Sequence, residues 1–493
     1  MGLDQILLLG SVVLLASIGA ARMGARFGLP SLLLFLGLGV LVGELGLDFN
    51  DAELAHSLGF AALVLILAEG GFTTRWTEIK GALPSAILLA TVGVGVSVAV
   101  VATFAHFALG LSPATAVLLG AITSPTDAAA IFSVLRKVPL PAKVRATIEA
   151  ESGFNDAPIV LLVAAATSWA LGEGIEGGPG WTIALIVLEL AGGVLLGAVL
   201  GWLGVRALRG IALPASGLYP LAALGWTVLA YGLGSWLHLS GFAAVYVTAF
   251  VLGNGELPHR HATRSFAEGV GWISQIGLFV MLGMLADPFR VSLSSALAGV
   301  AAGAVLTFVA RPLSVLACLV WFKVPWREQV FVSWAGLRGA VPIIMATVPL
   351  AAGAPGADAI FDMVFAFVVV FTLLQAPTLP WAARRLKVST GEDSTDVEVE
   401  FAPLDNIRAD MMQVHVPEGS RLHGVTLREL RLPRNSVISL IIRDNEPFTP
   451  SGEHSVRVGD DLLIVTNGKD RKKVEQRLRS ISAGGRLARW QEG

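Results

Sequence analysis

Cysteine is nearly absent from this chain: Cys318 is the only one in 493 residues. That excludes a disulfide framework and a thiolate metal cluster. Charge is scarce too, at 15% of residues against roughly 25% in ordinary soluble domains. A formal net charge of -2 gives no case for nucleic-acid binding. No G-x-x-x-x-G-K-[ST] phosphate loop occurs, so no nucleotide-driven pump is implied. The scarcity of charge is also uneven. Residues 1–387 hold 20 basic and 20 acidic side chains, and residues 388–493 hold 15 and 17. The first composition suits a bilayer and the second suits water. A soluble enzyme, a collagen-like chain and a disordered protein are all excluded.

What the first part has in abundance is apolar sequence. A membrane helix needs about 20 mostly apolar residues. Cutting residues 1–387 at charged or Pro/Gly-rich breaks gives thirteen candidates: 4–21, 29–47, 54–73, 82–107, 113–135, 147–171, 180–205, 215–237, 239–253, 266–287, 292–322, 328–352 and 359–383. Alternate loops carry 17 basic residues, from Arg22 and Arg26 to Arg384, Arg385 and Lys387, whereas the opposite loops carry Arg290 alone. The positive-inside rule then sets the N-terminus outside and the tail in the cytoplasm of a multi-pass inner-membrane protein. The first span has neither a basic n-region nor a small-residue cleavage site and reads as retained.

Seven acidic or basic residues nevertheless stand at the fifth position or deeper within spans: Glu69, Asp127, Glu151, Asp156, Glu189, Arg311 and Arg338. At roughly 2.5–3.5 kcal/mol each on insertion scales, a merely structural bundle has little reason to carry them. Counting about 1.5 Å per residue from the basic anchors puts Asp127, Asp156 and Arg338 at depths of about 14–16 Å, near the midplane. Two of these spans break their helical pattern at that depth. One reads Thr123-Ser124-Pro125-Thr126-Asp127 and the other Gly336-Leu337-Arg338-Gly339-Ala340-Val341-Pro342. Broken helices in corresponding halves point to an inverted-repeat transporter with a midplane site. Between them in sequence, Glu151, Ser152, Asn155 and Asp156 fill an arc of about 140° on one helix. Hard oxygen ligands of this kind suit H⁺, Na⁺ or K⁺ and offer nothing to soft metals.

On these motifs the chain resembles the monovalent cation/proton antiporters of the NhaP type (cation:proton antiporter family 1), over nearly all of residues 1–387. The carrying residues are Glu69-Gly70-Gly71, Ser124-Pro125-Thr126-Asp127, Glu151-Ser152-Gly153-Phe154-Asn155-Asp156 and Gly336 to Pro342. The resemblance implies that Asp156 binds either the proton or the cation, with Asn155 before it. It implies that Ser152, Glu69, Asp127 and the Thr126 main-chain carbonyl complete the cation shell. It further implies that Glu151 pairs with Arg338 and that Asn155 steadies the unwound crossing through Thr126. Ala128 stands where the family commonly has a proline after the aspartate. Glu189 and Arg311 read as structural, a contact between them being one reading.

The tail resembles the C-terminal lobe of potassium-transport regulatory domains (RCK-C or TrkA-C), on Val414 to Ser420, Val437 to Arg443 and Val458 to Val465. Short β-runs with turns and a final helix near 469–481 are expected. The organisation is therefore an exchanger domain over 1–387, an acidic linker over 388–405, a regulatory domain over 406–482 and a tail over 483–493. The fold class is an all-α polytopic membrane protein of about thirteen transmembrane helices with inverted repeats and two broken crossing helices, plus a small α+β cytoplasmic domain.

The function expected is electroneutral 1:1 exchange of a monovalent cation for H⁺, K⁺ ahead of Na⁺, by alternating access. A Na⁺/H⁺ antiporter is the near alternative. A regulated cation channel would need a filter such as T-V-G-Y-G, which is absent, and a receptor or scaffold leaves the midplane charges unexplained. No cofactor and no metal beyond the transported cation are expected. The partners are membrane lipid, a second copy of the chain and a small cytoplasmic ligand on the tail. Gly193-x3-Gly197-x3-Gly201 reads as helix packing inside one subunit ahead of dimerisation. Gly172 to Gly177 matches G-x-G-x-x-G without a preceding strand, and His259-Arg260-His261 reads as a loop, so neither is taken as a ligand site.

Overall fold

The computed structural model describes all residues except 1–2, 28, 46–48, 50, 136–137, 139, 174–177, 287–290, 390–397, 405–408, 418–419, 434, 445, 468–469 and 485–493. The sequence expectations for Arg136, Lys137, Arg290, half of the acidic linker and most of the tail therefore lie outside the described residues. The chain divides into two compact units, Met1–Ser389 and Thr390–Gly493.

The first unit is helical. Its elements are α1 (Leu3–Phe27), α2 (Ser31–Glu44), α3 (Ala52–Thr73), α4 (Leu83–Leu109), α5 (Pro113–Thr123), α6 (Ala128–Val134), α7 (Ala142–Ala170), α8 (Gly178–Gly210), α9 (Leu218–Trp236), α10 (Gly241–Asn254), α11 (Arg260–Leu285), α12 (Leu293–Phe322), α13 (Trp326–Trp334), α14 (Ala340–Ala351) and α15 (Ala357–Arg385). A helix or a helix pair occupies each of the thirteen predicted stretches. By length and composition alone, seven described helices qualify as membrane crossings, or eight if the bent pair α5 and α6 counts as one.

The order of elements repeats. Helices α2 and α10 are each 14 residues long, and α7 and α15 are each 29. A π-helical turn interrupts α4 at Leu89–Gly93, and another interrupts α12 at Leu306–Ala310. Each interrupted helix precedes a broken one, α5/α6 in the first half and α13/α14 in the second. Packing repeats as well, α2 lying on α11 as α10 lies on α3. Equivalent stretches are seven apart, an odd number. Successive spans alternate in direction, so the two halves run oppositely, which makes the repeat inverted.

Glycine sets the closest approaches. A Cβ on Gly39 would overlap the Val280 carbonyl oxygen, and one on Gly283 would overlap that of Leu36, so α2 and α11 touch backbone to backbone. We expect Gly39→Ala and Gly283→Ala each to destabilise the folded protein by about 1–3 kcal/mol, because the obstacle is main chain rather than a movable side chain. Thermal unfolding in detergent checks this; unchanged midpoints would mean that the contact is slack. Gly193, Gly197 and Gly201 of α8 face Ser240, which caps α10, and Ala244 and Val251 within it. The glycine run thus packs within one subunit.

The second unit is a five-stranded antiparallel sheet of β1 (Glu398–Leu404), β2 (Ala409–His415), β3 (Ser436–Arg443), β4 (Glu446–Phe448) and β5 (Asp461–Asn467), in the order β1-β2-β5-β3-β4. Helix α16 (Arg471–Gly484) brings Val474, Leu478 and Ile481 into a core with Met412, Val414, Ile441, Leu462 and Ile464. Asp460 is fully buried and holds the unit's turns together: it takes two bonds from Arg443 (both 2.8 Å) and one from the Arg457 N–H (2.7 Å). The Asp460 carboxylate raises the Arg443 pKa above its ordinary value. One expectation is corrected here. The sequence places residues 398–404 in an acidic linker, but they form β1, paired in register with β2 from Glu398 opposite His415 to Leu404 opposite Ala409. Charge density hides a strand whose alternate residues, Val399 and Phe401, are apolar.

Candidate functional site

Helix α5 stops at Thr123 because Pro125 has no N–H to continue it. The Thr123 and Ser124 hydroxyls turn back onto the Leu119 (2.8 Å) and Gly120 (2.6 Å) carbonyls. The chain resumes as α6 only after Asp127, which is extended at φ -120° and ψ 104° and accepts from the Ala130 N–H at 3.1 Å. The axes of α5 and α6 differ by 43°. An aspartate N-cap therefore starts the second half-helix although Ala128 replaces the family's proline.

The second break, Ala335 to Gly339, crosses the first. The Asp127 N–H donates to the Leu337 carbonyl at 2.9 Å. Gly339 lies so close to the Asp127 carboxylate that a Cβ there would overlap it. Arg338, 3% exposed, donates through Nε to the Thr123 carbonyl (3.0 Å) and through Nη1 to that of Gly336 (2.7 Å). Its guanidinium thus sits on the carbonyl end of α5, where the helix dipole favours a cation. Thr372 of α15 in turn donates to the Arg338 carbonyl at 3.0 Å.

Helix α7 staples the crossing from the side. Ser152 Oγ donates to the Thr126 carbonyl and accepts from the Ala128 N–H, both at 3.0 Å. Asn155 Nδ2 donates to Thr126 Oγ1 at 2.9 Å. Asn155 is fully buried and Asp156 is 8% exposed. Asn155 Oδ1 and Asp156 Oδ1 are buried without a hydrogen-bond partner. Asp156 has Asp127 as its charged neighbour. A buried carboxylate oxygen without a donor is costly unless it gains a proton or a cation.

The expected pairing of Glu151 with Arg338 is corrected. Glu151, 2% exposed, is held in a fork by Arg311 of α12, Nη1 to Oε1 at 2.5 Å and Nη2 to Oε2 at 2.8 Å. Arg311 follows directly on the π-helical turn Leu306–Ala310, whose extra residue resets the facing of what comes after it. Gly336 separates the two guanidiniums: a Cβ on it would stand 2.9 Å from Arg311 Nε and 3.0 Å from Arg338 Nη1. Arg338 stays within electrostatic reach of Glu151, but its hydrogen bonds go to carbonyls. The reading that joins Arg311 to Glu189 is corrected with it. Glu189 lies half-exposed on α8, where its main-chain carbonyl accepts from Ser240 at 3.0 Å.

The comparisons with known proteins agree with this architecture. The sodium/hydrogen exchanger transmembrane family matches residues 12–385, and the TrkA-C domain matches 411–479. The chain is a sodium/hydrogen exchanger family member. Among its relatives, the K(+)/H(+) antiporter NhaP2 of Shewanella oneidensis is 34% identical over 474 residues, 95% of this chain and 82% of the relative. The K(+)/H(+) antiporter NhaP of Alkalimonas amylolytica is 34% identical over 477 residues, 94% and 81% of the two chains. The Na(+)/H(+) antiporter NhaS2 of Synechocystis is 27% identical over 66% of this chain and 61% of the relative. Among solved structures, the sodium proton antiporter MjNhaP1 of Methanocaldococcus jannaschii superposes with a TM-score of 0.67 at 21% identity, covering 76% of this chain and all of that one; this likeness shows the fold.

In this exchanger, then, Asp156, Asp127, Ser152, Asn155 and Thr126 meet at the crossing. Glu69 belongs to a second group. It packs on Gly271 of α11, and its charged neighbours are Glu268, Arg264 and Glu149. Sequence reasoning undervalued Arg311 and missed the two π-helical turns and Thr372. An arginine inside an apolar span was the available signal, since a buried guanidinium demands a carboxylate.

Proposed function

We propose that this chain is a secondary antiporter that exchanges K⁺, with Na⁺ as the nearest alternative, for H⁺ across the inner membrane. The observation that carries the reading is the pair of buried, partnerless oxygens on Asn155 and Asp156 beside Asp127 at the crossing of two broken helices. Asp156 holds a proton or a cation in turn. When the proton leaves, its carboxylate binds the cation, with oxygens from Asp127, Ser152 and the Thr126 carbonyl as further ligands, and Glu69 in the neighbouring group offers the next carboxylate on the ion's way. Residue 155 is a neutral amide, so one ionisable group carries each load and the exchange is 1:1 and electroneutral. The names of the K(+)/H(+) relatives and the TrkA-C match favour K⁺. The basic residues of alternate loops support an outside N-terminus and a cytoplasmic second unit. We take the working form to be a homodimer, with the second unit as the receiver of a small cytoplasmic ligand.

The test is proton flux in proteoliposomes challenged with K⁺, Na⁺, Li⁺ or Rb⁺ at a clamped membrane potential. Cation-dependent dissipation of the pH gradient, unchanged by the imposed voltage, is expected. Current without proton counterflow would replace the reading with a channel. Truncation after Lys387 should leave exchange intact and shift its pH or ionic-strength profile, since a regulator acts by binding transport states unequally. Superimposable profiles for the full and truncated proteins would make the second unit a passenger.

A further inference from the structure

The glycines of two sequence motifs have a common neighbour outside both. Gly153 lies on α7 between Ser152 and Asn155, and a Cβ there would stand 2.6 Å from Tyr246 Oη and 2.9 Å from its Cζ. Gly70 follows Glu69 on α3, and its Cβ would meet the edge of the same ring at 3.9 Å. A Cβ on Gly71 would stand 2.7 Å from the Tyr246 carbonyl. Each of these glycines leaves room for one tyrosine of α10. Its ring is wedged edge-on to Phe154 (5.7 Å between centroids) and stacked on Phe250 (6.5 Å). The residue is 5% exposed. Its hydroxyl lies against Gly153, beside Ser152, and its ring edge lies against Gly70, beside Glu69, with Thr74, Glu149 and Asp156 in electrostatic reach. Thr248, another hydroxyl of α10, is turned away to the Gly197 carbonyl of α8 (3.1 Å).

Resting on the antiport reading, we propose that Tyr246 is a positioning residue of the cation's passage, its hydroxyl offering an oxygen to the ion as it moves between Asp156 and the Glu69 group. Gly153 is the seat that keeps that oxygen in line. A phenol is well matched to this role, because it is neutral, it accepts a cation through oxygen, and two aromatic contacts fix its direction. A single oxygen to a charged partner accounts for roughly a tenfold change in apparent affinity.

The experiment compares Tyr246→Phe, Gly153→Ala and the double variant in cation-driven proton flux, with thermal unfolding in detergent measured alongside. Tyr246→Phe keeps the ring and its packing, so the midpoint of unfolding and the maximal rate should hold while the half-saturating cation concentration rises about tenfold. Gly153→Ala pushes the phenol aside and should raise it similarly. The double variant should match Tyr246→Phe in affinity, because the oxygen is already absent, while the new methyl still meets the ring at Cζ and lowers the unfolding midpoint. An unchanged half-saturating concentration in Tyr246→Phe overturns the proposal, as does a Gly153→Ala penalty that persists undiminished in the double variant. Should Gly153→Ala fail to fold, Tyr246→Phe alone decides. Absence of cation-dependent flux in the unaltered protein would instead defeat the antiport reading, a distinct outcome.

Discussion

Asp156→Asn should reduce cation-dependent proton flux to the level of empty vesicles, with the protein still inserted, folded and as heat-stable as the parent or more so. The substitution keeps the shape of the side chain and removes its titratable group. Asp156 carries a buried oxygen without a partner, and a neutral amide there no longer holds a charge that burial disfavours. Stability and activity should therefore part company. Flux in this variant above a tenth of the parent's would place the exchanged proton on another group, Asp127 being the carboxyl in electrostatic contact with it.

A second large effect is expected at Glu151 and Arg311. Removing one member of a buried ion pair leaves the other uncompensated, at a typical cost of about 3–5 kcal/mol. Glu151→Ala and Arg311→Ala should each lower the unfolding midpoint and the yield of folded protein. Combining them should cost clearly less than the sum of the two, since the double variant strands no charge. Arg338→Ala should instead free the Thr123 and Gly336 carbonyls. Its coupling to Glu151→Ala should be clearly weaker than that of Arg311→Ala, because Arg338 shares no hydrogen bond with Glu151, which separates the observed fork from the pairing first expected. If the Arg338 and Glu151 variants are strongly coupled and those of Arg311 and Glu151 are not, the fork is wrong.

Much of this molecule was legible from depth and composition. Spacing from basic anchors put Asp127, Asp156 and Arg338 at one level, and Pro125 and the glycines around Arg338 marked where helix would fail. What spacing along a helix cannot supply is which neighbour a buried side chain faces. Glu151 and Arg338 lie at compatible depths, yet the π-helical turn before Arg311 brings a more distant residue to Glu151. A one-residue bulge leaves no mark in hydropathy. The motif likewise assigns Glu69 to the cation shell, and α3 directs it to Gly271 and the Glu268 group. The β1 strand was missed because acidic residues on an edge strand read like a linker.

The inverted repeat has a consequence for the charge at the crossing. Duplication of a half should supply two chemically alike breaks. The halves have diverged there: the first break bears the Asp127 carboxylate, and the second bears the Arg338 guanidinium, held by the Thr123 and Gly336 carbonyls. A symmetric scaffold thus carries an unsymmetric field, with a tethered positive charge facing the one carboxylate-bearing break.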